Sequence, residues 1–220
     1  TPKPSSAASD VYKRQAQIDG EVLQELLSEN VDSTFNQITV DGDTSTNDMV
    51  VTMANGLADN PTVMPGTSDY EVFNQALHYV LGQLAKQIAA DGEGATKLVE
   101  CNVAHAATAL DGQQVAKAIV GSNLVKAAIF GEDPNWGRII STIGATDADI
   151  DINQVDIAMN GMPLVAASLA LPFDEAAVKM SLKQAQIMID VDLHHGTAHG
   201  QAWGCDLTYN YVKINASYHT

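Results

Sequence analysis

The segment at residues 69–90 has the most regular pattern in this chain, and it restricts the folds open to it. Its apolar side chains recur at three- and four-residue spacings, which is typical of a helix that buries one face. They are Phe73, Leu77, Val80, Leu81, Leu84 and Ile88. Ser68 and Glu71 have the spacing of a capping box at the start of this helix. A β-like run at residues 96–104 follows, so we expect the helix to cover a sheet.

Helix-like and strand-like segments interleave along the chain without internal repeats or a strict βαβ rhythm. Helices are also predicted from Ile18 onward, with Asp19 as N-cap, and at residues 111–121, 135–143 and 174–186. Strands are predicted at residues 37–40, 149–152, 155–159, 187–193 and 201–211, with a hairpin turn at Asn160-Gly161. This order predicts an α/β (α+β) fold of mixed sheets layered with helices, in two lobes joined near residues 92–94.

The first 15 residues differ from the rest of the chain. They contain two prolines, a Ser/Ala run and three of the 11 basic residues, and they show neither helix nor strand periodicity. This composition predicts a flexible or foreign leader at residues 1–15, followed by lobes at 16–92 and 93–220. Because the chain begins with Thr1 rather than Met, we expect a processed product or a piece of a longer protein.

The net charge of the chain limits the classes of partner that it can bind. Eleven Lys and Arg residues stand against 27 Asp and Glu residues, a net charge of −16. Such a chain repels phosphate backbones and anionic membranes, which disfavours nucleic acids and membranes as partners. No run of about 18 apolar residues predicts a membrane span, and no signal peptide is visible, so we expect a cytoplasmic protein. Cys101 and Cys205 lie in apolar runs without CxxC spacing, which predicts buried free thiols.

A glycine-rich turn at residues 91–97 is the first candidate site. Glu93 stands between Gly92 and Gly94 where the long helix gives way to a strand. Glycine permits positive φ and close approach of a ligand or another backbone. A carboxylate presented in this way can meet an ammonium group or tune a proton transfer. The alternative is that the first glycine caps the helix while Glu93 faces water.

A second turn, at residues 131–138, combines an aromatic side chain with a guanidinium. Arg138 could clamp a carboxylate, because arginine binds carboxylates in a bidentate manner. The favoured interpretation is structural, with Trp136 packed inward and Arg138 paired with Asp133.

Three histidines, His194, His195 and His199, follow Asp190 and Asp192 near a strand end. Their spacing has no helical register that would bring the imidazoles together, and no cysteine joins them. We therefore expect a solvated loop, and no metal site is predicted.

The chain ends in apolar and amide residues after an alternating segment, which predicts a docked terminus rather than a frayed one. Asn215, Thr220 and the terminal carboxylate are therefore expected to line a pocket.

Four blocks of this sequence, at residues 35–48, 91–97, 128–139 and 202–215, resemble the β chain of ornithine acetyltransferase, in the arginine-biosynthesis glutamate N-acetyltransferase family. The blocks occur in the family's order, and the resemblance covers residues 16–220. It implies an N-terminal-nucleophile-like lobe and a smaller C-terminal α+β lobe whose tail returns to the active site.

The resemblance also implies a function. The family transfers the acetyl group of N-acetylornithine to glutamate through an acetyl-Thr intermediate, without a cofactor, although acetyl-CoA is a possible co-substrate. The β chain comes from an autocatalytically cleaved precursor and stays with its α chain, commonly as an α2β2 heterotetramer. The family's substrate-binding positions fall here on Thr1, the nucleophile, and on Glu93, Asn215 and Thr220. The oxyanion-hole donors and a substrate-binding lysine belong to the α chain, so this chain alone is expected to be inactive.

The start of the chain departs from the family, whose β chain opens with Thr-Met-Leu-Ala and a buried strand. Here Pro-Lys-Pro follows Thr1 and that strand is predicted to be missing, and counting back from Ile18 places Ala7 at the nucleophile position. Either Thr1 serves after a bulged leader, or residues 1–15 are foreign and the nucleophile is lost. Two alternative functions follow: an N-terminal-nucleophile amidase or aminopeptidase with water as acceptor, or a non-catalytic remnant.

Overall fold

The computed structural model describes residues 11–44 and 46–217, with side chains from residue 15 onward. These residues form two compact units. The first contains the described residues up to Asn36 together with Thr44–Ala85. The second contains Gln37–Asp43 and the chain from Lys86 onward. None of the described helices has the length and apolarity needed to cross a bilayer.

The described chain contains helices and strands in runs of one to three of a kind. The helices are α1 (Gly20–Ser33), α2 (Ser68–Ala90), α3 (Ala109–Gly121), α4 (Asn123–Phe130), α5 (Trp136–Ile143), α6 (Glu175–Ser181) and α7 (Tyr209–Ala216). The strands are β1 (Val11–Arg14), β2 (Ile38–Thr39), β3 (Val51–Ala54), β4 (Leu98–Ala106), β5 (Asp156–Met159), β6 (Met162–Ala166), β7 (Leu169–Ala170), β8 (Gln186–Asp192) and β9 (Ala198–Cys205).

The first unit pairs two helices with a small parallel sheet. Strands β1 and β3 run parallel. Helix α1 begins where predicted, since the Asp19 side chain accepts a hydrogen bond from the Glu21 amide. Leucines of α1 and α2 form a small apolar core; they are Leu26, Leu27, Leu77 and Leu81.

The second unit contains a seven-stranded mixed sheet in the order β2-β9-β4-β8-β5-β6-β7. Strand β4 pairs parallel to β8 and antiparallel to β9. One face of these strands is apolar and belongs to the main core with α3; its side chains include Cys101, Val103, Ile187, Ile189 and Val191. The sequence prediction of a mixed α/β fold with buried free thiols at Cys101 and Cys205 is confirmed.

The opposite face of the central strands is polar. Glu100 is buried there, and it accepts hydrogen bonds from Lys86 Nζ at 3.0 Å and Gln201 Nε2 at 2.6 Å. Asn102 Nδ2 donates to Asp190 Oδ1 at 3.0 Å. A buried carboxylate is tolerable here because a cation and an amide satisfy it.

Several predictions of secondary structure need correction. No strand forms at 149–152, because the Asp151 carboxylate accepts from the Asn153 amide and this local bond replaces strand pairing. The predicted strand at 201–211 ends at Cys205, and α7 follows it. Helix α4 was not predicted; Ser122 separates it from α3 and caps it. The predicted absence of strand structure in residues 1–15 is wrong at Val11–Arg14, which form β1.

The cap of α2 and the turn between β5 and β6 were also predicted from the sequence. The first turn of α2 is capped by Thr67, one residue before the predicted capping box, because its Oγ1 accepts from the Tyr70 amide at 3.3 Å. The hairpin turn at Asn160-Gly161 is confirmed: both residues have positive φ, 48° and 76°, and join β5 to β6.

Gly161→Ala should lower the free energy of unfolding by about 1 kcal/mol, because its φ of 76° is disfavoured for a residue with a Cβ. Gly137→Ala is the matched control: Gly137 lies inside helix α5 without positive φ, and an added Cβ would meet its nearest atom at 3.5 Å. Urea unfolding of both variants tests this, and equal stability of the two would contradict the turn assignment.

Candidate active site

The candidate site begins at the turn between α2 and β4. Gly94 adopts a φ of +69°, and a Cβ there would lie 2.6 Å from the Tyr211 backbone nitrogen. The Ala95 amide donates to the Gly92 carbonyl at 3.0 Å and closes the turn. Glycine at position 94 therefore serves two needs, the left-handed backbone and the close approach of α7. This turn presents Glu93, which is half-buried.

Thr208 connects the turn to α7. Its hydroxyl accepts from the Tyr211 amide at 3.1 Å, which caps the helix, and donates to the Gly94 carbonyl at 2.6 Å. One buried hydroxyl thus fixes both the start of α7 and its distance from the turn.

Glu93 and Asn215 meet across this junction. Asn215 lies one helical turn beyond Tyr211, and its Nδ2 donates to Glu93 Oε2 at 2.8 Å and to the Tyr211 carbonyl at 3.0 Å. The structure therefore brings together two of the predicted substrate-binding residues. An ionised carboxylate only accepts hydrogen bonds, so the pair presents an acceptor that suits an ammonium group or another N–H donor.

Tyr211 adds a second carboxylate to this region. Its hydroxyl donates to Asp41 Oδ2 at 3.1 Å, across 170 residues of sequence. Burial, together with the hydrogen bond to Asp41 and its negative charge, raises the pKa of Tyr211 to about 12. The tyrosine therefore remains a neutral donor at physiological pH, and it holds the segment that carries Asp41 beside α7.

The buried carboxylate of Asp206 also stabilises the junction between the Glu93 turn and α7. Asp206 Oδ1 accepts from the amides of Thr96 at 2.8 Å and Lys97 at 3.0 Å. These bonds join the residues that lead into β4 to the residue that follows β9. The buried Lys126 ammonium donates to the Val40 carbonyl, next to Asp41. Together these groups fix the turn and the Asp41 segment relative to each other.

The turn at residues 131–138 is structural, as favoured. Asn135 caps α5, and Trp136 packs against the main core. The predicted ion pair between Arg138 and Asp133 is wrong, because Arg138 Nη1 donates to the Leu124 carbonyl at 2.6 Å. Thr1 and Thr220, the other two predicted site residues, lie outside the described residues.

The sequence did not reveal Asp41, Thr208, Tyr211 or Asp206 as parts of this site. A local signal existed for Thr208, since threonine is a preferred N-cap residue, but the alternating apolar pattern around it favoured a strand. The contact between Tyr211 and Asp41 has no local signal, because sequence spacing cannot show which distant segments the sheet brings together.

A protein of known structure has the same fold as this chain. The chain superposes with a TM-score of 0.92 on a crystal structure of arginine biosynthesis bifunctional protein ArgJ from Bacillus halodurans. The two are 49% identical, and the match covers 94% of this chain and 98% of that one. Residues 11–220 match the model of the ArgJ family, so the chain belongs to the ArgJ family. The family predicted from the sequence is confirmed.

Curated relatives give the same result and show how much of a longer protein the chain represents. It is 83% identical over 205 residues to arginine biosynthesis bifunctional protein ArgJ of Lactiplantibacillus plantarum, covering 93% of this chain and 51% of the relative. The protein of that name from Streptococcus thermophilus strain CNRZ 1066 is 52% identical over 93% of this chain and 52% of its own length. The chain therefore spans about half the length of the curated relatives it matches.

Thr208→Val should destabilise the protein by about 1–3 kcal/mol, because an isosteric side chain without a hydroxyl leaves the Gly94 carbonyl and the Tyr211 amide without their partner. Thr208→Ser keeps both hydrogen bonds and serves as the control, with a loss of about 1 kcal/mol or less. Chemical unfolding of the two variants measures the difference. If valine were tolerated as well as serine, the hydroxyl would not be what holds α7 to the turn.

Proposed function

We propose that this chain is the β chain of an amino-acid acetyltransferase of arginine biosynthesis, which moves the acetyl group of N-acetylornithine to glutamate. Membership of the ArgJ family supports the reaction, together with the relatives' name, arginine biosynthesis bifunctional protein. The observation that carries the proposal in this chain is the contact between Asn215 Nδ2 and Glu93 Oε2 at 2.8 Å, which joins two residues of separate family-like blocks.

The chemistry of this pair fits one of the two substrates. N-acetylornithine carries an ammonium group at the end of its side chain, and Glu93 with nearby Asp41 provides negative charge to receive it. Glutamate carries a carboxylate at the corresponding end, which the same charge repels. We assign Glu93 and Asn215 to recognition of the acetyl donor, and Thr220 to a further substrate contact. The acceptor glutamate depends on groups of the α chain.

The reaction proceeds through an ester on a threonine, for which Thr1 is the candidate in this sequence. Its hydroxyl attacks the acetyl carbonyl, and its own α-amine takes the hydroxyl proton. The C–N bond then breaks, and the amine of ornithine leaves with that proton. The amine of glutamate attacks the acetyl-Thr ester, the C–O bond breaks, and a proton from the attacking amine returns to the threonine oxygen. The tetrahedral oxyanion of both steps needs donors from the α chain.

The α chain is the partner that this proposal requires. The chain spans about half the length of its curated relatives, and the other half of each relative is long enough to be an α chain. We propose that both chains arise by autocatalytic cleavage of one cytoplasmic precursor and assemble as an α2β2 heterotetramer. No cofactor enters the reaction, and acetyl-CoA would act only as an alternative acetyl donor.

The activity can be tested by producing this chain together with an α chain taken from the Lactiplantibacillus plantarum relative. Mass spectrometry should then detect labelled acetylglutamate formed from acetyl-labelled N-acetylornithine and glutamate, and neither chain alone should form it.

Thr1→Ala should lower the rate about a thousandfold or more, because no other group forms the ester. Full activity of Thr1→Ala would overturn the nucleophile assignment. Free acetate without acetylglutamate would indicate an amidase, and no reaction would favour a non-catalytic remnant.

Glu93→Gln should raise the KM for N-acetylornithine about tenfold in the assembled enzyme, with a smaller change in kcat, because it removes a charge that meets the substrate ammonium. Glu25→Gln, on the exposed surface of α1, is the matched control and should leave both constants unchanged. Steady-state kinetics with varied donor concentration give the result. An unchanged KM in Glu93→Gln would return Glu93 to a turn residue without a binding role.

A further inference from the structure

Two parallel strands place a histidine and an aspartate side by side at their carboxyl ends. In the register of β4 and β8, Ala104 lies opposite Asp192. His105 follows directly in β4, and its Nδ1 lies 2.8 Å from Asp192 Oδ2. His194, two residues beyond Asp192, places its Nδ1 3.4 Å from Asp192 Oδ1. One potential ligand atom from each residue lies within 4.8 Å of the other two. We call His105, Asp192 and His194 the histidine cluster.

A carboxylate outside the histidine cluster orients one of its imidazoles. His194 Nε2 lies 2.9 Å from Asp156 Oδ2, and the other Asp156 oxygen accepts from the Ala167 amide at 2.7 Å. The Nε2–H of His194 therefore donates to a fixed acceptor, and its Nδ1 faces Asp192. Metal-binding histidines in proteins are oriented by this kind of carboxylate partner.

The backbone around the histidine cluster is held tightly. The amides of His195 and Gly196 both donate to the His105 carbonyl, at 2.8 and 2.9 Å. A Cβ on Gly196 would lie 2.3 Å from the Ala106 carbonyl oxygen, so the loop after β8 packs closely against the end of β4. The His194 amide also donates to Asp192 Oδ1 at 2.9 Å. His194 and His195 lie in an exposed loop, as predicted from the sequence, and these backbone bonds fix the loop against the end of β4.

We propose that the histidine cluster binds a divalent transition-metal ion, of which Zn²⁺ is the representative. Two imidazoles and one carboxylate match the ligand preferences of zinc, and the hard ion Mg²⁺ prefers all-oxygen sites. Ligand atoms in tetrahedral zinc sites lie about 3.4 Å apart, as expected from bonds of about 2.1 Å. The ligand atoms of the cluster, which lie within 4.8 Å of one another, would close toward that spacing on binding. On binding, Nδ1 of His105 loses the proton that it donates to Asp192. The neutral ring takes a proton on Nε2 through exchange with solvent, which frees the Nδ1 lone pair for the metal. Water would complete the coordination.

The ion would tie the end of β4 to the end of β8, so its effect would appear as added stability of the folded chain. This inference is independent of the proposed acetyltransferase function, because it involves neither the Glu93 turn nor the α chain. Its failure would leave that function untouched.

Equilibrium dialysis of the complete chain against Zn²⁺, with bound zinc measured by atomic emission, tests the site. The wild type should bind one Zn²⁺ through the cluster, and its melting temperature should rise with Zn²⁺ concentration. His105→Gln and His194→Gln should each weaken binding about tenfold or more, and Asp156→Asn about tenfold. His195→Gln is the matched control, because His195 pairs with Asp149 outside the cluster. Its affinity should stay within about twofold of the wild type.

Each result separates the proposal from a general attraction of cations to an acidic chain. If His105→Gln and His194→Gln bound zinc as the wild type does, or if the wild type bound none, the site would be refuted. Displacement of Zn²⁺ by an equal concentration of Mg²⁺ would refute the imidazole ligands. Circular dichroism and the melting temperature of each variant without metal confirm that it is folded. His105→Asn and His194→Asn provide a second pair if the glutamine variants do not fold.

Discussion

Strand β4 is the element on which the second unit depends. Its backbone pairs with β8 on one side and β9 on the other, so it fixes the positions of both neighbours. One of its faces contributes Val99, Cys101 and Val103 to the main core, and the other buries Glu100 within a polar network. One end of β4 follows the candidate active site, and the other end carries part of the histidine cluster. The turn with Glu93 precedes β4, and the histidine cluster includes His105 near its end.

Much of the fold follows from local patterns. The long helix α2, the alternating strand β8 and the Asn160-Gly161 turn were predicted from periodicity and turn chemistry alone, because each buries one face or requires a special φ. Three of the failures have a common cause. At Asp151, Ser122 and Thr208 a polar side chain bonds to nearby backbone and overrides the apolar pattern.

The candidate site was less accessible to sequence reasoning. Glu93 could be identified from its flanking glycines, and Asn215 from the docked chain end and the family resemblance, but neither signal showed that the two residues meet. The residues that hold the pair together lie far apart in the chain and could not be predicted. The histidine cluster shows the same limit: the sequence spacing groups His194 with His195 and His199, whereas the structure places His105, from a distant strand paired with β8, beside it. Long-range strand register is the information that composition and spacing do not contain.

Helix α7 is attached in an unusual way. None of its side chains is buried. Besides an edge-on contact between the Tyr209 and Phe130 rings, polar groups hold it: the hydroxyl of Thr208, the phenol of Tyr211 and the amide of Asn215. Detaching such a helix exposes little apolar surface, so its opening is nearly free of the heat-capacity change and denaturant sensitivity that mark unfolding of the sheet. Helix α7, which carries Asn215, can therefore detach and re-attach in a local equilibrium of its own while the strands of the sheet stay paired.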